Sequence, residues 1–288
     1  MKLALGTVQF GLKYGIANQS GQVMRTEAKA MLQLAADIGI DTIDTAIAYG
    51  ESEACLGEAG IQGFKLVTKA PPAPDGIADA GRWIRDQMAA SLDRLGVNSI
   101  YGLLLHQSDQ LLGLHGKDIY HSLQCLKESG QVKKIGVSVY SPRELEVIPK
   151  LFCLDLVQAP FSLVDRRLQS TGWLQRLKDA GVEIHTRSAF LQGLLLMSRA
   201  DTPTKFSPWN ALWDRWNQWL SGHEISALQA CLAFPLSFPQ IDRVVVGADS
   251  VRQLAQIFRA ASNAPQSCWP DLQCEDENLI NPSRWHLL

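Results

Sequence analysis

Asp44, Tyr49, Lys69 and His106 are residue types that can together place a proton on an oxygen. A phenol has an ordinary pKa of about 10, which is high for an efficient proton donor at neutral pH. A lysine ammonium beside it stabilises the phenolate and lowers that value. An aspartate paired with the lysine keeps it charged and in place. A neutral histidine can hydrogen-bond a carbonyl oxygen and orient it. This set protonates an oxygen that is gaining negative charge but supplies no electrons, so a reduction built on it needs a hydride carrier.

Each of the four residues lies at or just beyond the end of a short apolar run. The runs read as strands at Leu3–Gly6, Thr42–Asp44, Lys65–Thr68, Ile100–His106, Lys134–Val139, Leu156–Gln158, Glu183–Thr186 and Arg243–Val246. They are almost continuously apolar, as strands covered on both faces should be. Helical spacing of apolar residues appears between them, over Thr26–Ile38, Arg82–Leu95, Asp118–Ser129, Pro142–Leu151, Arg167–Ala180 and Val251–Ser262. Gly39, Gly96, Gly130 and Gly181 stand where a helix needs a left-handed closing residue.

Eight strand–helix units within about 250 residues imply an α/β fold, a single (β/α)8 TIM barrel with its active site at the C-terminal ends of the strands. An open doubly wound sheet fits less well, because the first turn reads Gly6-Thr7-Val8-Gln9-Phe10-Gly11 and lacks the G-x-G-x-x-G phosphate loop. The barrel is expected over residues 1–264, with residues 265–288 as a C-terminal tail packed on it. Trp209, Trp213, Trp216 and Trp219 share one side of a helix within Pro203–Leu220. That segment is expected to pack on the barrel exterior; a lid after the seventh strand and a subunit interface are the alternatives.

Composition narrows the class further. At 46% hydrophobic and 19% charged, the 288 residues can bury a large core, which excludes a disordered chain. A net charge of −2 offers no global field for nucleic acid or an anionic membrane. No apolar run approaches the roughly 18 residues of a membrane span, and the N-terminal apolar stretch is short for a signal peptide, so a soluble, cytoplasmic protein is expected. The six cysteines are scattered and are expected to be buried free thiols; with the histidines they show no metal-ligand spacing. His115, His121, His223 and His286 read as surface or loop residues, and His185 as a satisfied core residue.

At these residues the chain resembles the aldo-keto reductase family. The resemblance is carried by Asp44-Thr45-Ala46-Ile47-Ala48-Tyr49-Gly50 with Glu51, by the Leu56-Gly57-Glu58 expected to open the next helix, and by Val67-Thr68-Lys69 and Leu103-Leu104-Leu105-His106. It continues through Gly136-Val137-Ser138, Val157-Gln158, Asp165-Arg166, Ser188, Leu191-Gln192-Gly193-Leu194-Leu195 and Gly247-Ala248, in order from about Leu3 to Phe258.

The resemblance implies an NADP(H)-dependent oxidoreductase that reduces a small aldehyde or ketone, sugar-like or anionic, to an alcohol. In it Tyr49 is the general acid, Lys69 and Asp44 tune it, and His106 orients the carbonyl. It also implies that Ser138 and Gln158 hold the nicotinamide carboxamide and that Gly6 and Thr7 lie beneath the cofactor. Ser188, Phe190 and Gly193 would neighbour the pyrophosphate, and Gly247, Asp249, Arg252, Gln253 and Gln256 the adenine end.

Three departures from the family pattern stand out. Val139 replaces the Asn that often follows the serine of the fifth strand. Arg187 occupies the position of an aromatic ring that stacks on the nicotinamide, where it either contacts cofactor or substrate or forms an ion pair at the rim. Asp249 would repel a 2′-phosphate and accept from a ribose hydroxyl, while Arg252 could bind that phosphate, so NAD(H) stays open beside NADP(H). Two other functions are compatible with the chain: a cofactor-binding regulatory protein of the same fold with little turnover, and a lyase using Lys69 as a Schiff base. The loop with Leu12-Lys13-Tyr14-Gly15 is expected to line the site.

Overall fold

The computed structural model describes residues 1–262 and 269–288. Eight parallel strands close into a barrel in sequence order: β1 Leu3–Gly6, β2 Thr42–Asp44, β3 Lys65–Ala70, β4 Ile100–Leu105, β5 Val132–Ser138, β6 Leu156–Pro160, β7 Glu183–Arg187 and β8 Arg243–Gly247. Closure comes from β1 pairing with β8, with Gly6 beside Gly247 on one side and Asp44 on the other. The strand bounds differ from the sequence reading by one or two residues. β5 begins at Val132 because the run through Lys133 and Lys134 pairs with β4 despite its charges, and β4 stops at Leu105, with the His106 N–H donating to the Ala70 carbonyl at 2.9 Å.

The helices cover the outside. Arg25–Asp37, Ala80–Leu95 and Gly116–Glu128 bury one stripe each against the strands. Gly39, Gly96, Gly130 and Gly181 adopt positive φ where the sequence placed them. Two expected helices are broken. Pro142–Leu151 splits into a 3-10 turn, Pro142–Glu146, and a short helix, Ile148–Leu151, with a proline at the start of each piece. Arg167–Ala180 splits at Gly172, whose φ is +77°. Leu56 lies inside the helix Ser52–Ala59 and does not open it.

The tryptophan segment forms a 3-10 turn, Thr204–Trp209, and the helix Asn210–His223. Trp213 and Trp216 are buried, and their indole N–H groups donate to the carbonyls of Phe206 and Leu195. The segment is thus an insertion packed on the barrel. The helix that leads back to β8 is the next one, Ala227–Leu236, opened by a capping box of Ser226 and Gln229.

Cys55 and Cys231 are buried, Cys125 and Cys274 half-buried, and Cys153 exposed, so burial does not extend to all the thiols. Cys268 and the expected domain boundary at residues 264–265 lie outside the described residues. The tail beyond bonds to the segment after β6 and to the insertion: the Cys274 N–H donates to the Val164 carbonyl at 2.9 Å and the Lys205 ammonium to the Trp285 carbonyl, while the Trp285 indole donates within the tail to the Leu279 carbonyl.

Inside the barrel an apolar layer of Val67, Leu104 and Leu156 separates two polar ends. The C-terminal end carries the sequence's candidate residues. At the N-terminal end, Glu183 accepts from Lys134 at 2.5 Å, from Tyr101 at 2.7 Å and makes a 2.7 Å bond with His185.

Candidate active site

A cleft of about 610 Å³ opens at the C-terminal ends of the strands. Asp44, Tyr49, Lys69 and His106 all line it, although they come from three strand ends and a loop. Lys69 is fully buried; its ammonium donates to Asp44 Oδ1 at 2.6 Å and to the Thr45 carbonyl at 2.9 Å. Gln158 Nε2 donates to the other Asp44 oxygen at 2.6 Å. The carboxylate is therefore held on both sides, which is what a buried charge requires. Tyr49 lies above this pair, with its ring centre 5.3 Å from Lys69 Nζ and edge-on to His106 at 5.7 Å between ring centres.

Close backbone approach positions the Tyr49 loop. A Cβ on Gly11 would sit 1.7 Å from the Tyr49 carbonyl oxygen, and one on Gly50 2.7 Å from that of Gly11. Only glycine at both places lets the loop rest on the turn Val8–Gly11. Ser52 reinforces the contact by donating to the Thr7 carbonyl at 2.8 Å. Beneath it the buried Glu53 accepts from Thr68, Ser91 and both arms of Arg94, tying the helix Ser52–Ala59 to β3 and to the helix Ala80–Leu95.

The electrostatics differ from the sequence expectation at one point. Burial raises the Tyr49 pKa well above the ordinary phenol value, the Asp44 charge adds to the rise, and Arg187 opposes it only in part. Lys69 is not among the groups that oppose the rise, and its own ammonium pKa is pulled down by burial, with Asp44 opposing. Tyr49 is thus a phenol that holds its proton firmly. His106 fits the expectation: burial first, then the Lys69 and Arg187 cations, lower its pKa to about 4, so it is neutral at pH 7.

Of the expected cofactor residues, Gly6, Thr7, Ser138, Gln158, Arg187, Ser188, Phe190, Gly193, Gly247, Asp249, Gln253 and Gln256 line the same cleft. Arg252 does not; it is exposed on the helix Val251–Ser262. The Thr7 hydroxyl is engaged with the Asp44 carbonyl at 3.1 Å, and Gln158 with Asp44, so both act first as framework. Arg187 has no carboxylate partner among the described residues. Its guanidinium lies 4.9 Å from the centre of the Tyr140 ring and donates to the Val139 carbonyl at 3.0 Å, so the rim ion pair is not formed.

The wall after β7 is backbone in an unusual state. Ser188, Leu191 and Gln192 have φ of 66°, 48° and 53°, a conformation that costs on the order of 1–3 kcal/mol each in non-glycine residues. The segment is held by Ile16, whose N–H donates to the Gln192 carbonyl at 3.1 Å, and by Gln192 Nε2, which donates to the Tyr14 hydroxyl at 3.2 Å. Tyr14 and Gly15 line the cleft as expected, whereas Leu12 and Lys13 do not.

Gln9, Asn18, Tyr140, Leu228, Pro282 and Ser283 also line the cleft and carry no chemical signature in the sequence. Gln9 is informative: its Oε1 is buried without a hydrogen-bond partner among the described residues, and a Cβ on the adjoining Gly247 would meet its amide at 2.4 Å. A glycine floor beside an unsatisfied acceptor suits a polar, hydroxyl-bearing ligand that lies close to the backbone. That wall therefore fits the ribose hydroxyls of a dinucleotide, which can donate to Gln9.

The sequence matches the model of the aldo/keto reductase family over residues 2–267. It is 25% identical over 290 residues to the oxidoreductase YqkF of Bacillus subtilis, covering 91% of each chain. It is 29% identical over 315 residues to a D-threo-aldose 1-dehydrogenase of a Pseudomonas species, covering 93% of this chain and 94% of that one. A holo-form aldo-keto reductase of Bacillus halodurans superposes with a TM-score of 0.73 over 92% of this chain and 88% of that one; its 21% identity speaks to the fold alone.

Proposed function

Because this chain belongs to the aldo/keto reductase family, we propose that it interconverts a small aldehyde or ketone and the corresponding alcohol, with Tyr49 as the proton donor. A nicotinamide dinucleotide, the cofactor type of the family, supplies the hydride when bound. The observation that carries the reading is the edge-on pair of Tyr49 and neutral His106 beside the buried Lys69–Asp44 pair in one cleft.

In the proposed mechanism the neutral His106 donates a hydrogen bond to the substrate oxygen and fixes the carbonyl. Tyr49 keeps its proton against water, because its pKa is raised, and releases it only to a stronger base. The alkoxide developing on the substrate is such a base. The Lys69 ammonium, 5.3 Å from the ring, then faces the phenolate left behind. Asp44 and Gln158 keep Lys69 in position throughout. In the reverse direction the phenolate removes the alcohol proton. A sugar-like substrate is supported by the name of the Pseudomonas relative, an aldose dehydrogenase.

The test is steady-state turnover of an aldehyde, ketone and aldose panel with wild-type protein and with Tyr49→Phe, alongside dinucleotide binding to both by fluorescence quenching. The expected result is turnover by the wild type alone with binding by both. Binding without turnover across the panel overturns the reading in favour of a regulatory protein.

A further inference from the structure

The end of the cleft opposite Tyr49 bears on which dinucleotide the chain accepts. The reacting carbon must lie beside Tyr49 and His106, so the rest of the cofactor has to run along the lining. One arm of that lining is apolar, with Leu196, Leu228 and Pro282. The other passes the bare backbone of Gly6 and Gly247 and the unsatisfied Gln9 acceptor, and ends at Asn18, Asp249, Gln253 and Gln256. Ribose and phosphate groups suit the polar arm.

We infer that this polar arm, through Asp249 in its lining and through Glu27, which lies outside the lining and occupies the N-terminus of the adjoining helix, selects a dinucleotide whose adenosine ribose carries a free 2′-hydroxyl, NAD(H), over its 2′-phosphorylated counterpart, NADP(H). The inference rests on the proposed function and departs from the NADP(H) that the family resemblance implies.

Three observations converge on it. First, among the described residues the only cations in the lining are Lys69 and Arg187, both on strands beside Tyr49 and His106, and neither is among the groups that act on Asp249. Second, Asp249 faces the cleft with a neutral partner: Asn18 Nδ2 donates to its Oδ1 at 3.1 Å. Such a carboxylate accepts from a ribose hydroxyl and repels a phosphate dianion. Third, the nearby helix N-terminus, which would otherwise attract a phosphate, is partly occupied. The Val251 N–H donates to the Glu27 carboxylate at 2.7 Å and the Gln253 N–H to the Ser250 hydroxyl at 3.2 Å, while the Leu254 N–H begins the helix's own ladder at the Ser250 carbonyl, 3.0 Å. A 2′-phosphate placed there would meet the Asp249 carboxylate in the lining and a helix end whose free N–H groups are mostly taken by Glu27 and Ser250. Arg252 lies on the exposed side of that helix, outside the lining.

The test is calorimetric titration of the full chain with ADP-ribose and with 2′-phospho-ADP-ribose at one ionic strength; neither compound can turn over. The expected result is binding of ADP-ribose tighter by about tenfold or more, with the gap narrowed by Asp249→Asn and by Glu27→Gln. Equal or tighter binding of the phosphorylated compound, or its selective weakening by Arg252→Ala, overturns the inference while leaving the proposed function standing. Preference for ADP-ribose unchanged in both carboxylate variants overturns the assignment to these residues. Failure of both compounds to bind overturns the dinucleotide reading itself, and this inference with it.

Discussion

The two polar ends of the barrel use almost the same side chains to opposite effect. At the C-terminal end stand a lysine, a carboxylate, a tyrosine and a histidine; at the N-terminal end stand Lys134, Glu183, Tyr101 and His185. In the lower group every charge is answered. Glu183 takes three hydrogen bonds, and although burial pushes its carboxyl up, the bonds from His185, Lys134 and Tyr101 together hold it well below its ordinary value. Asp41 nearby, opposed by burial but bonded to Lys65 and Thr42 and facing Arg243, falls to about 2. In the upper group Asp44 and Lys69 satisfy each other, but the Tyr49 hydroxyl has no hydrogen-bond partner and Arg187 no counter-ion among the described residues. Chemistry is available where the same groups are left unsaturated and open to a ligand. Where the charges are paired, as around Glu183, they hold strands together, although His185 Nδ1 there is buried without a partner among the described residues.

The sharpest test of this contrast is Tyr49→Phe, which should lower kcat by roughly 10²–10⁴-fold while thermal unfolding is unmoved, because the hydroxyl supports nothing else. Its counterpart below is Glu183→Gln. Turnover should persist, while stability in urea falls by about 3–5 kcal/mol as Lys134 loses its counter-charge. Because the folded carboxyl titrates below its unfolded value, Glu183 contributes fully above about pH 4.5 and its contribution fades as the pH falls; the variant should lose that acid sensitivity. A variant that lost turnover as completely as Tyr49→Phe would break the distinction between the two ends.

A smaller effect concerns His106. With a folded pKa of about 4 against 6.5 unfolded, it stays neutral well below pH 6. The acid limb of kcat/KM should fall near pH 4, and His106→Gln should remove it. The sign for stability follows: between pH 6.5 and 4 the unfolded chain binds the proton first, so stability is lost as the pH falls through that window. Smallest of all, Arg187→Met should move the His106 titration upward from about 4, read by NMR, since Arg187 is one of the cations that depress it. No movement would mean that burial and Lys69 set the value without Arg187.

The sequence carried the barrel well because a strand covered on both faces leaves a continuous apolar run, and eight such runs stood apart from helical spacing. It also brought Asp44, Tyr49, Lys69 and His106 to one end of the barrel, since strand ends of a parallel barrel converge. It failed where burial removes pattern. Ala227–Leu236 has six buried residues in succession, from Ala230 to Pro235, so a helix enclosed on nearly all sides shows no stripe. It failed again where the cleft is built from loops: Gln9, Asn18, Tyr140 and Ser283 meet only through packing. The pKa of Tyr49 was misjudged for a related reason. A neighbouring lysine can be inferred from strand order, but the depth of burial that outweighs it belongs to the folded molecule.

The Val67, Leu104 and Leu156 layer has a consequence for proton traffic. Among the described residues no chain of hydroxyls or carboxylates threads it, and His185 on β7, at its upper edge, bonds downward to Glu183. In the proposed reaction the Tyr49 phenolate regains its proton from bulk water at the mouth of the cleft, once the alcohol that took it has left. On that mechanism product release governs when the phenol is recharged, and a solvent isotope effect on turnover should track that release and be indifferent to substitutions around Glu183.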